Sequence, residues 1–325
     1  MREPPTLPAE AFAEGLFRLG FNAMGTRCEI KYAAHSMGEA DAFRKKALAW
    51  VRRFESRYSR FQEGSLISRI NTASGKNPVE IDEEDTRLFD LCGTLHFLTE
   101  GLFDPTTLAL SRLWDFKAEN PNVPDDVEVR AALSKVGWPK VRRRGNSIYL
   151  PEKGMGLDFG GFGKEYAVDR VIEIAREHSL EHALVDFGGD ICSMGKPTDS
   201  PVWHIGVEDA RNSGTSGLML GLSNQAVATS GNYQRFFEQK GRRYSHLLDH
   251  RTGYPTSNSC LSVTVVGRTC LEAGVLATCA LLEGEDEGLA RIDRFFGTEG
   301  CIQTESGLRW TKGFEQNVIE KNEVF

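Results

Sequence analysis

The run from Thr229 to Pro255, TSGNYQRFFEQKGRRYSHLLDHRTGYP, holds the side chains best suited to chemistry. His246 and Asp249 lie close together in it, and Arg251 and Thr252 follow directly. A histidine titrates near neutral pH and can take a proton from a hydroxyl group, while the neighbouring groups can bind phosphate or a metal ion. The pattern indicates an active or ligand-binding site, although a buried histidine beside a structured loop gives the same local pattern.

A second candidate site is the glycine-rich run Asp158–Lys164, DFGGFGK. It is predicted to lie between a strand and a helix, where backbone N–H groups and the helix dipole can hold phosphate. The run is not a P-loop, because Glu165 follows Lys164 where that motif has serine or threonine, and Phe159 stands where a dinucleotide fingerprint needs its third glycine. A tight strand-to-helix turn with a solvated Lys164 needs the same glycines, so both interpretations stay open.

A β-hairpin over residues 233–250 is predicted to position the histidine, with its turn at residues 240–241. On the second strand His246 and Leu248 share one face, and Leu247 lies on the other. The turn-forming sequence that follows the hairpin closes the segment.

Hydrophobic periodicity predicts an α+β protein with one domain over 21–325, after a loose arm at 1–20. The domain is expected to be helix-rich at 38–140 and sheet-rich at 141–325. Helices are predicted near residues 38–57, 82–99, 103–116, 124–138, 163–178 and 270–284. Strands are predicted near residues 21–34, 141–151, 182–195, 203–210, 218–223 and 261–267. A further strand is predicted just before the glycine loop, and a last hairpin around Ser306 and Gly307.

Composition narrows the class of protein. The chain has 325 residues, 40% of them hydrophobic and 26% charged, which is typical of a folded domain. Its net charge of -7 comes from interspersed signs, which argues against a nucleic-acid surface. Seven scattered cysteines without a CxxC pair are expected to be reduced core residues. A secretory signal and a membrane-spanning stretch are both missing from the pattern, so a cytoplasmic protein is expected.

Eight motifs, in this order, resemble the ApbE family of FAD:protein FMN transferases. They are MGT at 24–26, SRYSRF…SLISRIN at 56–71, GLFDPTTLAL at 101–110, LDFGGFGKEYAVDRV at 157–171, LVDFGGDI at 184–191, ATSGNY at 228–233, SHLLDHRTGYP at 245–255 and EAGVLAT at 272–278. The resemblance runs from about Phe21 to Gly284. It implies a T-fold-containing architecture, FAD as the substrate, Mg²⁺, and transfer of FMN to a threonine of a client flavoprotein with release of AMP.

The resemblance also implies roles by position. His246 matches the histidine that helps to remove the acceptor's hydroxyl proton, and Asp249 is grouped with it as catalytic. Contacts with the flavin nucleotide are implied for Met24, Gly25, Thr26, Phe61, Leu102, Phe103, Asp104, Asp158, Lys164, Gly188, Gly189, Thr229, Ser230, Leu247, Arg251 and Thr252. Periodicity alone favours a core position for Met24 and Phe61. The alternative interpretation of Asp104, which precedes Pro105, is a helix cap, and that of the glycine pair at 188–189 is a turn.

The metal site departs from the family pattern. The resemblance implies a backbone carbonyl at Gly161 and an aspartate and a threonine on the late helix. Thr278 is present, but the aspartate position is Gly274, and Ala277 stands where some members have another carboxylate. Losing an anionic ligand removes a principal attraction for Mg²⁺. A second departure is His250, which stands where the family has proline.

Three outcomes follow for the metal: fewer protein ligands together with the FAD phosphates, a rearranged site, or an FAD-binding protein that no longer transfers FMN. A metal-dependent FAD pyrophosphatase that yields free FMN and AMP is a further alternative. If the missing ligand is the only defect, Gly274→Asp is expected to raise turnover and to leave flavin binding unchanged.

Overall fold

The structure is a computed structural model that describes residues 10–13, 15–116, 118–119, 121–212, 214–233 and 236–321. Its α-helices are α1 Met37–Tyr58, α2 Leu66–Thr72, α3 Glu83–Leu98, α4 Leu108–Trp114, α5 Asp126–Leu133, α6 Gly163–Glu177, α7 Cys270–Glu283 and α8 Glu285–Asp293. Short 3-10 helices lie at Trp138–Lys140 and Phe314–Asn317. In those ranges no helix has both the length and the apolar character needed to cross a membrane.

The strands follow in chain order. They are β1 Glu10–Ala13, β2 Leu16–Ala23, β3 Thr26–Ala33, β4 Val79–Glu80, β5 Arg142–Arg144, β6 Ser147–Tyr149, β7 Ala183–Phe187, β8 Asp190–Met194, β9 Trp203–Glu208, β10 Ser216–Leu222, β11 Ala226–Gly231, β12 Phe236–Gln239, β13 Arg242–Ser245, β14 Leu248–Asp249, β15 Tyr254–Pro255, β16 Cys260–Gly267, β17 Glu299–Thr304, β18 Gly307–Trp310 and β19 Val318–Lys321.

A central antiparallel sheet organises the fold. Over the described ranges its nine strands lie in the order β1-β2-β3-β7-β8-β11-β16-β17-β18. Helices α1, α6 and α7 pack on one face, and the three-stranded sheet β19-β10-β9 packs on the other. Along β7, Val185 and Phe187 point toward the helices while Leu184 points toward the small sheet, as the two-residue period of a strand requires.

Helix α1 forms where the sequence predicts a helix. Its buried residues recur every three or four positions: Ala40, Phe43, Ala47, Val51, Phe54 and Tyr58. That spacing gives one apolar stripe that faces the sheet. The Ser36 hydroxyl caps the helix by accepting the N–H of Glu39 at 3.2 Å.

Several sequence predictions are confirmed by the structure. The helix at 82–99 is α3, and the side chain of Asp82 caps it by accepting the N–H of Asp85. The hairpins at 141–151, 182–195 and around residue 306 are present. All seven cysteines are buried with free thiols, as expected for reduced core residues.

Three local predictions are wrong. The stretch 21–34 is two strands around a turn, because β2 already begins at Leu16 and ends at Ala23. Residues 10–13 and 15–20 are not a loose arm, because β1 pairs with β2 there, while residues 1–9 and 14 of that arm lie outside the described residues. Instead of a strand before the glycine loop there is a single bridge between Gly156 and Thr107.

Candidate functional site

Two tight turns at one end of the central sheet carry sequence motifs. Met24 and Gly25 form the two-residue turn between β2 and β3, with φ of 51° and 73°. A turn with two positive φ angles suits the twist of an antiparallel hairpin. Gly188 and Gly189 join β7 to β8 with φ of 68° and 91°. Because β3 pairs with β7, both turns lie at the same end of the sheet.

The two turns touch each other. A Cβ on Gly188 would lie 2.2 Å from Thr26 Oγ1, so only glycine fits there. From the helix layer, Glu55 accepts the backbone N–H of Met24 at 2.7 Å. Met24 is half-buried against the core, so both its core role and its place beside the turns hold.

Strand β11 runs toward the same end of the sheet, because Val227 pairs with Ile191 near the start of β8. Near the end of β11, the hydroxyl of Ser230 hydrogen-bonds the hydroxyl of Thr278 on α7 at 2.7 Å. The ATSGNY and EAGVLAT motifs, nearly fifty residues apart in sequence, therefore meet at that end of the sheet.

The N-terminus of α6 reaches this end as well. Lys164 pairs with the carboxylate of Asp190, the first residue of β8. Burial lowers the pKa of Lys164, but the carboxylates of Asp190 and Glu165 outweigh it and raise the pKa above its ordinary value. Gly160 and Gly161 are exposed just before the helix, which has no side-chain cap. Lys164 is therefore paired with Asp190 and not merely solvated. A protonated lysine at an open helix N-terminus suits phosphate.

Asp158 supports the glycine loop from its other side. Its carboxylate accepts the N–H of Gly160 at 3.0 Å and lies 2.8 Å from Nε of Arg60. The Arg60 guanidinium also lies over the ring of Phe61, 4.1 Å from its centroid. Phe61 is 70% exposed, so the core interpretation of this residue is wrong.

The loop Gly101–Asp104 packs against the glycine loop. The rings of Phe103 and Phe162 meet edge to face with centroids 5.4 Å apart. The N–H of Asp158 donates to the carbonyl of Pro105 at 2.8 Å. The GLFDPTTLAL and glycine-loop motifs thus form one continuous surface.

Asp104 is buried within this loop, and its carboxylate is engaged by the protein. It accepts the N–H and the hydroxyl of Thr106 at 2.8 and 2.5 Å, and the N–H of Trp138 at 2.7 Å. Asp104 is therefore a turn cap, whereas the helix cap of α4 is Thr107.

Asp104→Asn is expected to lower the free energy of unfolding by about 2–4 kcal/mol. An amide makes weaker hydrogen bonds than the charged carboxylate, and its N–H₂ group would face an N–H or O–H donor that the carboxylate now accepts. Urea unfolding measures the change. The control is Asp90→Asn, which removes an exposed pair with Arg143 and should change stability by less than about 1 kcal/mol. Normal stability with weakened FAD binding would instead make Asp104 a ligand contact.

The histidine segment forms the predicted hairpin in part. Its turn residues Lys240 and Gly241 have φ of 52° and 74°, and β12 pairs with β13. The second strand ends at Ser245, however, and β14 then pairs with β15. The half-buried His246 and Leu247 lie between the two strand pairs, so the predicted unbroken strand is wrong. Leu247 packs against the main core.

Asp249 organises the turn after His246. Its two carboxylate oxygens bind the Arg251 guanidinium at 2.9 and 2.8 Å, and its carbonyl accepts the N–H of Gly253 and the hydroxyl of Thr252. Although burial raises the pKa of Asp249, the bonds to Arg251 outweigh it and hold the pKa below its ordinary value. In the structure, these predicted site residues bind one another and shape the turn.

His250, which stands where the family has proline, ties this segment to the Gly101 loop. Its Nε2–H donates to the carbonyl of Gly101 at 2.8 Å. The indole N–H of Trp114 donates to the carbonyl of Gly253, also at 2.8 Å. The histidine segment is therefore held against both the Gly101 loop and α4.

His250→Ala is expected to weaken FAD binding about 5-fold, because losing one hydrogen bond of about 1 kcal/mol loosens the Gly101 loop. Quenching of flavin fluorescence measures the affinity. His250→Gln is the matched control, since its amide N–H₂ can still donate to that carbonyl and should retain most of the affinity. Equal FAD affinities in the wild type and His250→Ala would show that the hydrogen bond from His250 to Gly101 does not support FAD binding.

The late helix and the glycine loop meet at Gly274. A Cβ on Gly274 would lie 2.6 Å from Cγ and 2.9 Å from Oε1 of Glu165. Glu165 is only 8% exposed, and its Oε2 has no hydrogen-bond partner among the described residues. Burial raises the pKa of Glu165 to about 7, and the nearby Asp190 carboxylate adds to the effect. The carboxylate thus occupies the space that a side chain at position 274 would fill.

The other residues with implied metal roles differ in what they offer. Ala277 is fully buried in the core, whereas Thr278 is half-buried and Gly161 is exposed. Across the described parts of the chain, no three His, Cys, Asp or Glu side chains gather closely enough to hold a metal ion by themselves. A cation here would need hydroxyl, carbonyl or phosphate oxygens as well.

Two predicted residues lie apart from this site. Leu102 is 7% exposed and belongs to the core. Thr229 faces the opposite side of the sheet from Ser230 and hydrogen-bonds Thr264 at 2.8 Å. With Gly189 it lines a cavity of about 250 Å³ beside the small sheet. Ligand pockets usually measure about 300–1,000 Å³, so this cavity is small for a dinucleotide.

Known proteins resemble this chain in sequence and in fold. A sequence model of the ApbE family matches residues 24–302. The chain belongs to the ApbE family. The FAD:protein FMN transferase of Treponema pallidum is 27% identical over 299 residues, 86% of this chain and 82% of that protein. The Vibrio cholerae protein of the same name is 30% identical over 271 residues, 82% and 81% of the two chains.

Solved ApbE structures match the fold along most of its length. The crystal structure of an ApbE protein from Thermotoga maritima has a TM-score of 0.85 and 30% identity, and the match covers 94% of this chain and all of that one. Flavin transferase ApbE from Vibrio cholerae has a TM-score of 0.82 and 26% identity, with 95% and 100% covered. The predicted family and the mixed α and β fold class are confirmed.

Three acidic residues of this ApbE site were not predicted from the sequence. Asp190 directly follows the glycine pair in a predicted turn, which was a usable signal. Glu165 was considered only because it rules out a P-loop, and its contact with Gly274 joins distant parts of the chain. Glu55 lies on the long helix α1, and local sequence does not show that it reaches the first turn.

Proposed function

We propose that this ApbE protein transfers FMN from FAD to a threonine hydroxyl of a client flavoprotein, with Mg²⁺ and with release of AMP. The observation that carries the proposal is the meeting of the motifs around the N-terminus of α6. Two sheet turns and the Ser230–Thr278 contact lie at that end, and the Gly101 loop links the histidine segment to the glycine loop. The relatives named FAD:protein FMN transferase support the same reaction.

In this proposal the helix N-terminus and Lys164 bind the pyrophosphate, since both present positive charge. Asp190 holds the lysine ammonium in place. The threonine oxygen bonds to the FMN phosphorus, the bond from that phosphorus to the oxygen of AMP breaks, and His246 accepts the hydroxyl proton. Asp249 and Arg251 form the turn that follows His246 and supports its segment.

When bound, Mg²⁺ would supply positive charge that offsets the charge of the pyrophosphate and of the departing AMP. The residues present fit such a hard cation, because the buried carboxylate of Glu165 lies against Gly274 and its Oε2 has no hydrogen-bond partner among the described residues. We assign the hydroxyl of Thr278, which Ser230 orients, and the carbonyl of Gly161 as further oxygen ligands.

Incubation of the purified protein with FAD, Mg²⁺ and a candidate flavoprotein domain tests the proposed function. A fluorescent client band in a denaturing gel and a client mass increased by FMN are expected. The control client carries alanine at the acceptor threonine. Intact FAD binding without an adduct on several clients contradicts FMN transfer.

The ApbE resemblance implies a metal-binding aspartate at position 274, where this chain has glycine. The loss of that acidic ligand favours one alternative, an FAD-binding protein without catalysis. The same incubation separates the possibilities by product. Transfer gives AMP and client-bound FMN, pyrophosphatase activity gives AMP and free FMN, and a binding protein leaves FAD intact.

A further inference from the structure

The contact between α6 and α7 places a carboxylate where the ApbE resemblance leads us to expect the metal-binding aspartate. Position 274 is glycine, and Oε1 of Glu165 lies 2.9 Å from where its Cβ would be. An aspartate at 274 would project its own carboxylate into this same space. The same space can therefore be filled by a carboxylate from position 165 or from position 274, but not from both.

Glu165 and the neighbouring Asp190 differ in their charge partners. The carboxylate of Asp190 is paired with the ammonium of Lys164. Glu165 is nine-tenths buried, and within the described residues its Oε2 has no hydrogen-bond partner. A buried carboxylate oxygen without a partner is costly unless a cation or a proton joins it.

A hydroxyl ligand and the proposed phosphate site both lie close to this carboxylate along the two helices. Thr278 is one helical turn after Gly274, so the two positions are about 5–6 Å apart on one face of α7. Glu165 is in the first turn of α6, directly after the lysine that borders the proposed phosphate site. A divalent cation between these groups would have a carboxylate, a hydroxyl and phosphate oxygens, which are the ligands it prefers.

We propose that Glu165 is the anionic protein ligand of the divalent cation in this protein and takes the role of an aspartate at position 274. The inference rests on the proposed function, since the cation is the one that accompanies FAD. It differs from the family arrangement because the carboxylate comes from the glycine-loop helix.

Mn²⁺ titration followed by electron paramagnetic resonance, with and without FAD, tests the assignment. Glu165→Gln keeps the size of the side chain and removes its charge, and it is expected to weaken Mn²⁺ binding roughly 10- to 100-fold. FAD affinity in EDTA should stay within about twofold. Glu173→Gln is the matched control, since it makes the same charge change on the exposed side of α6 and should bind Mn²⁺ like wild type.

The outcomes separate this proposal from the proposed function. Equal Mn²⁺ affinity in wild type and Glu165→Gln overturns the assignment, even if FMN transfer is observed. Absence of Mn²⁺ binding by the wild type in both conditions overturns it as well. Loss of Mn²⁺ binding in Glu165→Gln supports it, even if no client receives FMN. Circular dichroism of the variant shows whether its fold is intact, and Glu165→Asp, which retains the charge, should recover part of the affinity.

Discussion

Replacing His246 with alanine is expected to slow FMN transfer by about 10²- to 10⁴-fold, the usual contribution of a positioned base. The hydroxyl of threonine is a weak nucleophile, and without the imidazole its proton loses the acceptor proposed for it. Flavin binding should change little, because the neighbouring Leu247 and the Asp249 turn keep their packing. Single-turnover transfer to a client domain, followed by fluorescence, measures the rate.

His35→Ala is the control for this experiment, since His35 is exposed and follows β3 at the opposite end from the Met24 turn. Added imidazole should restore part of the rate of His246→Ala if the missing group acts as a base. A rate within about threefold of wild type would exclude His246 from proton transfer.

Gly274→Asp is expected to destabilise the protein by about 2–4 kcal/mol, in contrast to the gain in turnover that the sequence alone suggests. The new Cβ would lie 2.6 Å from Cγ of Glu165, and a second carboxylate would be buried beside the first. Overpacking of this kind and like-charge burial both oppose folding. Thermal and urea unfolding measure the loss.

Glu165→Ala combined with Gly274→Asp should recover most of that stability, because the alanine leaves room for the aspartate. A double-mutant cycle is expected to give a coupling energy of at least about 1 kcal/mol. Gly274→Ala separates the steric part from the charge, since it adds only the Cβ. Additive effects of the two changes would mean that the side chains do not compete for one space.

The elements that local pattern determines were predictable. Helix α1 follows from its apolar spacing and α3 from the cap at Asp82, because those signals lie within a few residues. The turn at Met24 and Gly25 was missed because the alternating pattern continues on both sides of it. A residue of positive φ other than glycine gives no clear signal in the sequence.

The sequence proposes members of the candidate site, but it does not show how they contact one another. The order of motifs indicates the family, yet it does not show that Asp249 binds Arg251 or that His250 binds the Gly101 loop. Nor does it show that Thr229 faces away from Ser230, since the sheet faces depend on which strands become neighbours. These relations depend on tertiary packing, which brings distant segments within a few ångströms.

The packing of Glu165 against Gly274 also limits the order in which such a pair can arise by mutation. A glutamate introduced opposite a resident aspartate would collide with it, whereas loss of the aspartate first leaves room for the longer side chain. A stepwise exchange of aspartate for glutamate would therefore pass through an intermediate that has neither carboxylate. With the glutamate in place, the same collision opposes a direct return of the aspartate, so the exchange would be hard to reverse in evolution.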